Sequence, residues 1–318
     1  MNKQTLQLSS APTVEDASAT RSKHLVLGAS GFIGRNLFEY LCNLGYDMSD
    51  AKCDLTNQYS AEMVIGGNDY VWMMAANTYG LGVLSKHPEK LVHDNLVMNA
   101  NVLEACYKHK VKKVLMVSSS VVYQDSKKCL KEEDLDLNEQ PYHLYQGVGW
   151  VKRYTEQLAR FYNTLGLNVI TVRPTGVYGK YDKLDETKSH VIPALIKKFL
   201  SGSDKVEIWG LGSNIKDFVY IDDFIRDIVG LMEVYNSPEP LNICSGELHS
   251  IKEIAEIIAE ITGFNGDIVY NLDKPETIAI KHISNEKIRQ ILGNDYISLR
   301  EGLAKTIEWV KNDITCKR

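Results

Sequence analysis

The sequence predicts an α/β protein: a doubly wound parallel sheet with a smaller α/β lobe toward the C-terminus. Three observations carry this. Short apolar runs alternate with segments of helical period at roughly 30-residue spacing in the first half. The first run ends in a glycine-rich turn that opens a helix. After Pro174 the alternation loosens, which marks a second lobe. At 318 residues the chain is long for one core and short for two independent domains.

The elements follow in order. KHLVLGAS, from Lys23, is an apolar run closed by glycine and reads as a buried strand. GFIGRNLFEYLCNLG has apolar residues at helical spacing and a closing glycine. A weak strand near Tyr46 and a short helix after DLTN come next, then the buried strand DYVWMMAA. PEKLVHDNLVMNANVLEACYKHK is a long amphipathic helix and KKVLMVSSS a strand. A helix from about Gly149 to Leu165 precedes the strand NVITVRP. Beyond it, HVIPALIKKFL is helical and KVEIWG a short strand. FVYIDDFIRDIVGLMEVY turns from strand into helix, and LNICSG returns to the sheet. SIKEIAEIIAEITG begins a helical C-terminal stretch.

Bulk properties exclude several functions. A net charge of −5 argues against nucleic acid or an anionic membrane as the main partner. No apolar run approaches the ~18 residues of a membrane span. Residues 1–22 lack the apolar stretch of a secretory signal and are expected to form a disordered tail. The six cysteines form no CxxC pair and have no ligand-like spacing with histidine, so reduced thiols, a cytoplasmic location and no metal site are expected.

The turn itself carries chemistry. In Gly28-Ala-Ser30-Gly31-Phe32-Ile33-Gly34, Gly28 allows the tight turn, Gly31 lets backbone approach a pyrophosphate, and Gly34 lets the helix pack on the sheet. The helix N-terminus then faces the phosphates. This is a Rossmann-like dinucleotide site. Its G-x-x-G-x-x-G spacing resembles the extended short-chain dehydrogenase/reductase family of nucleotide-sugar enzymes. Further stretches match that family: CDLTN with Asp54 and Leu55, MAANT with Ala75 and Ala76, Asn95, VSSSVVY and RPTGVYG. The resemblance implies NAD or NADP as cofactor. Asp47, Asp50 and Lys52 near the second strand, without an arginine there, lean slightly to NAD, although Arg35 is placed to serve a phosphate.

The segment SHVIPALIKKFLSG…VEIWGLGSNIKDFVYIDDF resembles the GDP-L-fucose synthase family, a likeness spanning about residues 23–250. It implies a nucleotide-diphosphate sugar, GDP-linked, with Ser120, Lys197, Lys198, Trp209 and Lys216 on the substrate. The family usually has arginine at these basic places; lysine keeps the charge but not the bidentate fork. The family's catalytic residues map onto Ser119, Lys152 and His190. Two places depart from the pattern: Val148 stands where a tyrosine precedes the lysine by four, and Val121 where a cysteine would sit. Tyr142 and Tyr145, ahead of the Lys152 helix and near the Gly147–Gly149 pair, are the candidates to replace the tyrosine. Tyr123 and Lys127 also satisfy Tyr-x-x-x-Lys, in a loop.

Three functions stay open at this point. The first is an oxidoreductase at C4 of a GDP-linked sugar with atypical acid–base groups. The others are an epimerase/reductase of the synthase type and a catalytically impaired sugar-nucleotide binder. The expected division is residues 23–175 with about 217–247 for the dinucleotide, and about 176–216 with 248–318 for the nucleotide sugar. The resemblance implies a helix-bundle homodimer, and Leu91, Leu96, Leu103, Val151 and Leu158 fit such an interface or, equally well, a face that covers the sheet.

Overall fold

The computed structural model describes residues 22–185 and 187–316. The tail expected over residues 1–22 lies, up to residue 21, outside the described residues. Six parallel strands form the main sheet: β1 (Lys23–Leu27), β2 (Asp47–Ala51), β3 (Tyr70–Met73), β4 (Lys113–Val117), β5 (Val169–Pro174) and β9 (Leu241–Ile243). Their order is β2-β1-β3-β4-β5-β9, so the strand order reverses between β1 and β3, where a doubly wound sheet opens its ligand crevice.

The strand pattern decides which side chains meet which helices. Leu25 and Leu27 of β1 enter one core with Val71, Val114 and Val169, beneath α2 (Gln58–Ile65), α4 (His93–Lys108) and α5 (Gln146–Thr164). Val26 points to the other face, where α1 (Phe32–Asn43) and α7 (Ile221–Val234) contribute Leu37, Leu41 and Phe224. Both faces are covered, which is why these strands read as continuous apolar runs. At the edge of this core Lys113 is buried and donates to the Met232 carbonyl at 2.6 Å, satisfying the C-terminus of α7 with a cation.

The rest of the chain builds a second, smaller assembly. It comprises β6 (Gly176–Tyr178), α6 (Val191–Phe199), β7 (Lys205–Trp209), β8 (Ile215–Tyr220), β10 (Leu248–Ser250), α8 (Ile251–Thr262), β11 (Asp267–Asn271), β12 (Ile280–Lys281), α9 (Glu286–Leu292) and α10 (Leu299–Cys316). β8 lies between β10 and β12 and pairs further along with β6, and β11 pairs with β7. α8 opens on a reciprocal Ser250–Glu253 capping box and closes at Gly263 in the left-handed conformation. A one-turn helix, α3 (Leu81–Leu84), follows β3.

Three local expectations are corrected. The long helix expected from Pro88 is a 3-10 turn, Pro88–Leu91, followed by α4. The helix expected from about Gly149 begins at Gln146. The C-terminal stretch is not helical throughout: β10, β11 and β12 run through it, two of them too short to show a period.

Candidate active site

Gly28 adopts φ +83°, and Gly31 N–H donates to the Gly28 carbonyl at 2.9 Å, closing the turn after β1. A Cβ on Gly34 would stand 2.1 Å from the Gly28 oxygen, so only glycine fits where α1 starts. α1 has no side-chain N-cap and no acidic residue in its first turn. Its leading N–H groups are therefore available to an anion, and the cradle fits a dinucleotide pyrophosphate. Ser30 is exposed above the turn, while Phe32 and Ile33 are half-buried and pack on the core.

Ala75 lies against the turn, since a Cβ on Gly28 would come within 2.7 Å of its backbone; Ala76 beside it is exposed. Asn95 acts from behind. It is buried, accepts from Asn77 N–H at 2.8 Å, and donates to the Asn77 and Leu91 carbonyls at 3.1 and 2.9 Å. It thus holds the Ala75–Asn77 loop in place. Asp54 is exposed and accepts from the Thr56 N–H and hydroxyl, which hold its carboxyl below the usual range; Leu55 is buried. Arg35 is already engaged, with its guanidinium 3.7 Å over the Tyr181 ring and 3.2 Å from Glu39. The register Val26↔Asp50 and Leu27↔Ala51 brings the end of β2 alongside the strand that leads into the glycine turn.

The opposite end of the crevice gathers Ser119 and Lys152. Ser119 follows β4, and its hydroxyl accepts from Val121 N–H at 3.3 Å. Lys152 reaches back from α5 to the carbonyl of Val117, two residues before Ser119, at 2.7 Å. Burial pulls its ammonium down to about 8, with nearby Glu156 opposing. Beneath them lies a buried network. Glu156 accepts from Ser118 Oγ at 2.5 Å and pairs with Arg173 at 2.7 Å. Arg173 also donates to the Tyr123 hydroxyl at 2.8 Å, which donates to Asn242 at 2.7 Å. Tyr123 is thus a structural residue, not the reacting one. Ser120, expected on the substrate, is likewise buried. Glu156→Gln is expected to destabilise the fold by about 3–5 kcal/mol, because it strands the Arg173 charge; denaturant unfolding measures this.

Val148 lies in the first turn of α5, one turn before Lys152. The helix start is closely packed there. Added Cβ atoms would stand 2.9 Å from Val92 Cγ2 at Gly147 and 2.6 Å from Pro141 Cβ at Gly149. These glycines allow α5 to dock closely beside Val121, whose carbonyl would be 3.0 Å from the same Gly149 Cβ. Tyr145 is the N-cap residue of α5, three residues before Val148 and seven before Lys152. Burial pushes its phenol up to about 12, with Thr277 opposing. Tyr142 meets the His143 ring at a tilt, 4.3 Å between centroids, and lies 6.0 Å from the Tyr145 ring.

The second assembly presents cations to this helix start. Lys216 of β8 is directly opposite Lys281 of β12 and His249 of β10, so the three side chains share one face. Lys281 lies 5.4 Å over the Tyr145 ring. Burial lowers Lys216 to about 8; burial and the Lys216 charge lower Lys281 to about 7. Two desolvated ammonium groups held side by side form a site for a dianion. Lys281 was not foreseen from the sequence. Trp209 packs on Gly82 of α3 and lies between Lys198 at 5.8 Å and Lys274 at 5.5 Å. Lys198 donates to the Glu207 carbonyl at 2.6 Å, while Lys197 is on the exposed side of α6. His190 caps α6 and is exposed, with its ring beside buried Asp182.

Residues 24–244 match the model of the NAD dependent epimerase/dehydratase family. The chain belongs to that family. A probable GDP-L-fucose synthase 1 of Oryza sativa subsp. japonica is 30% identical over 316 residues, covering 93% of this chain and 94% of its own. Among solved structures, a GDP-6-OMe-4-keto-L-xylo-heptose reductase from C. jejuni superposes with a TM-score of 0.86 at 25% identity, covering 92% of this chain and 98% of its own. MlghC, a GDP-mannoheptose C4 reductase from Campylobacter jejuni with NADP bound, gives 0.81 at 25% identity over the same shares. For this epimerase/dehydratase member the cofactor is NAD or NADP, and the glycine turn with the bare N-terminus of α1 is built to hold its pyrophosphate.

Proposed function

We propose that the protein is a reductase acting at C4 of a GDP-linked 4-keto sugar. The observation that carries this is the Lys216–Lys281 pair facing the start of the helix that bears Lys152. It joins a diphosphate site to the nicotinamide end of the crevice. The names of the relatives support GDP and a 4-keto sugar.

Bound nicotinamide supplies the hydride to the sugar C4. Lys152 then holds the nicotinamide ribose and places a positive charge near the reacting oxygen. Ser119 donates a hydrogen bond to the developing alkoxide. Tyr145, protonated at neutral pH, transfers the proton, and the Lys281 charge above its ring supports the phenolate left behind. Val148 has no proton to give. Trp209, Lys198 and Lys216 hold the nucleotide diphosphate, and His190 faces the sugar. Asp50 at the end of β2 and the engagement of Arg35 with Tyr181 favour NAD over NADP.

The proposed division of labour assigns residues 23–175 and about 217–247 to the cofactor and the remainder to the sugar nucleotide. A second copy is proposed to cover α4 and α5. Leu91, Leu103 and Val151, expected at that contact, are buried in the chain's own core and cannot form it. Tyr107, Trp150, Tyr154 and Phe161 are the exposed aromatics of those helices and take their place. The activity is tested with NADH or NADPH and a GDP-4-keto sugar: cofactor oxidation matched by a C4 alcohol supports the reading, and inversion at another carbon instead moves it to the epimerases.

A further inference from the structure

We infer that Asp182 is a positioning residue that fixes the ring of His190, presenting Nε2 to the sugar side of the cleft. This deepens the reading of the cleft as a sugar-nucleotide site and rests on it. Asp182 is 5% exposed, an unusual place for a carboxylate. Its Oδ1 accepts from the Lys183 N–H at 2.8 Å, whereas its buried Oδ2 has no hydrogen-bond partner. His190 Nδ1 stands 3.6 Å from Oδ1. A small ring rotation makes that contact a hydrogen bond, with Nδ1–H donating to the carboxylate.

The backbone before Asp182 shows how the carboxylate is held inward. Tyr181 has φ +68°, a conformation a bulky residue adopts only when its surroundings impose it. Here three contacts impose it. The Arg35 guanidinium stacks on the ring at 3.7 Å, the hydroxyl donates to Glu39 at 3.1 Å, and Trp309 of α10 meets the ring edge-on at 5.4 Å. α1 and α10 therefore clamp the residue that turns Asp182 under the loop leading to α6. Among the described residues, Lys183, Asp185 and Lys188 are the other charged residues of that loop; Lys183 turns to Thr78 at 3.4 Å and Asp185 accepts from Thr187 N–H. About half of the His190 side chain, 51%, stays exposed.

The test is a tautomer measurement on the intact protein, with His190 assigned by its loss in His190→Asn. Ring ¹⁵N shifts are expected to show Nδ1 protonated in neutral His190, and Asp182→Asn to shift the ring toward the Nε2–H form that free imidazole prefers. Asp182→Asn is further expected to lower kcat about 10-fold or more with KM changed less than about 3-fold. An Nε2–H tautomer in the unaltered protein overturns the inference, as does an Asp182→Asn protein with unaltered kcat. If GDP fails to bind either protein by calorimetry, the sugar-nucleotide reading falls, while the tautomer result still judges Asp182.

Discussion

Tyr145→Phe is expected to lower kcat for keto-sugar reduction by about 10²-fold or more, with little change in the KM of either substrate. The size follows from what a positioned general acid contributes, about 10²–10⁴-fold. The choice of Tyr145 follows from its place. It is the N-cap residue of the helix that bears Lys152, its phenol is buried, and Lys281 lies over its ring. Tyr142, tilted against the His143 ring, is the comparison, and a smaller loss is expected from Tyr142→Phe. Val148→Tyr added to Tyr145→Phe is expected to restore turnover in part, because it returns a phenol one helical turn from Lys152. Steady-state kinetics of the four proteins decide it; equal activity in Tyr145→Phe and the unaltered protein removes Tyr145 from the mechanism.

The second large effect concerns the paired lysines. Lys216→Ala and Lys281→Ala are each expected to weaken GDP binding about 10–100-fold, the worth of a charge-assisted hydrogen bond to a desolvated group. The pH dependence has a definite sign. In the free cleft Lys216 is lowered to about 8 and Lys281 to about 7. A bound diphosphate favours the charged forms and raises both values, so binding takes up protons. Affinity is therefore full below about 7, where both lysines are already charged, and falls as pH rises through 7 and 8. Calorimetry in two buffers of different ionisation enthalpy measures the proton uptake. Affinity independent of pH across that window, or proton release, contradicts the assignment.

The glycine turn was legible in the sequence because it has a short, local signature in a strand–helix context, whereas Ser119 and Lys152 were named only through the family resemblance. Lys281 was not legible. It sits on a two-residue strand with no period, and only pairing across β8 brings it beside Lys216. Asp182 was equally hidden, since its burial depends on a left-handed Tyr181 clamped by two distant helices. The start of α5 was placed late because two glycines argue against helix, whereas close packing on Val92 and Pro141 requires them there. The dimer residues were misjudged for a related reason. A helix period identifies an apolar stripe but not what covers it, and Leu103 packs in the chain's own core while Leu91 and Val151 are buried within the chain.

The account turns on direct hydride transfer between the nicotinamide beside Lys152 and C4 of the sugar. Reduction of a GDP-4-keto sugar with cofactor deuterated at the nicotinamide C4, followed by mass spectrometry and NMR of the product, reads that step alone. One deuterium at sugar C4 per cofactor oxidised is the predicted result. Deuterium at any other carbon, or no cofactor oxidation with both compounds saturating, would contradict it.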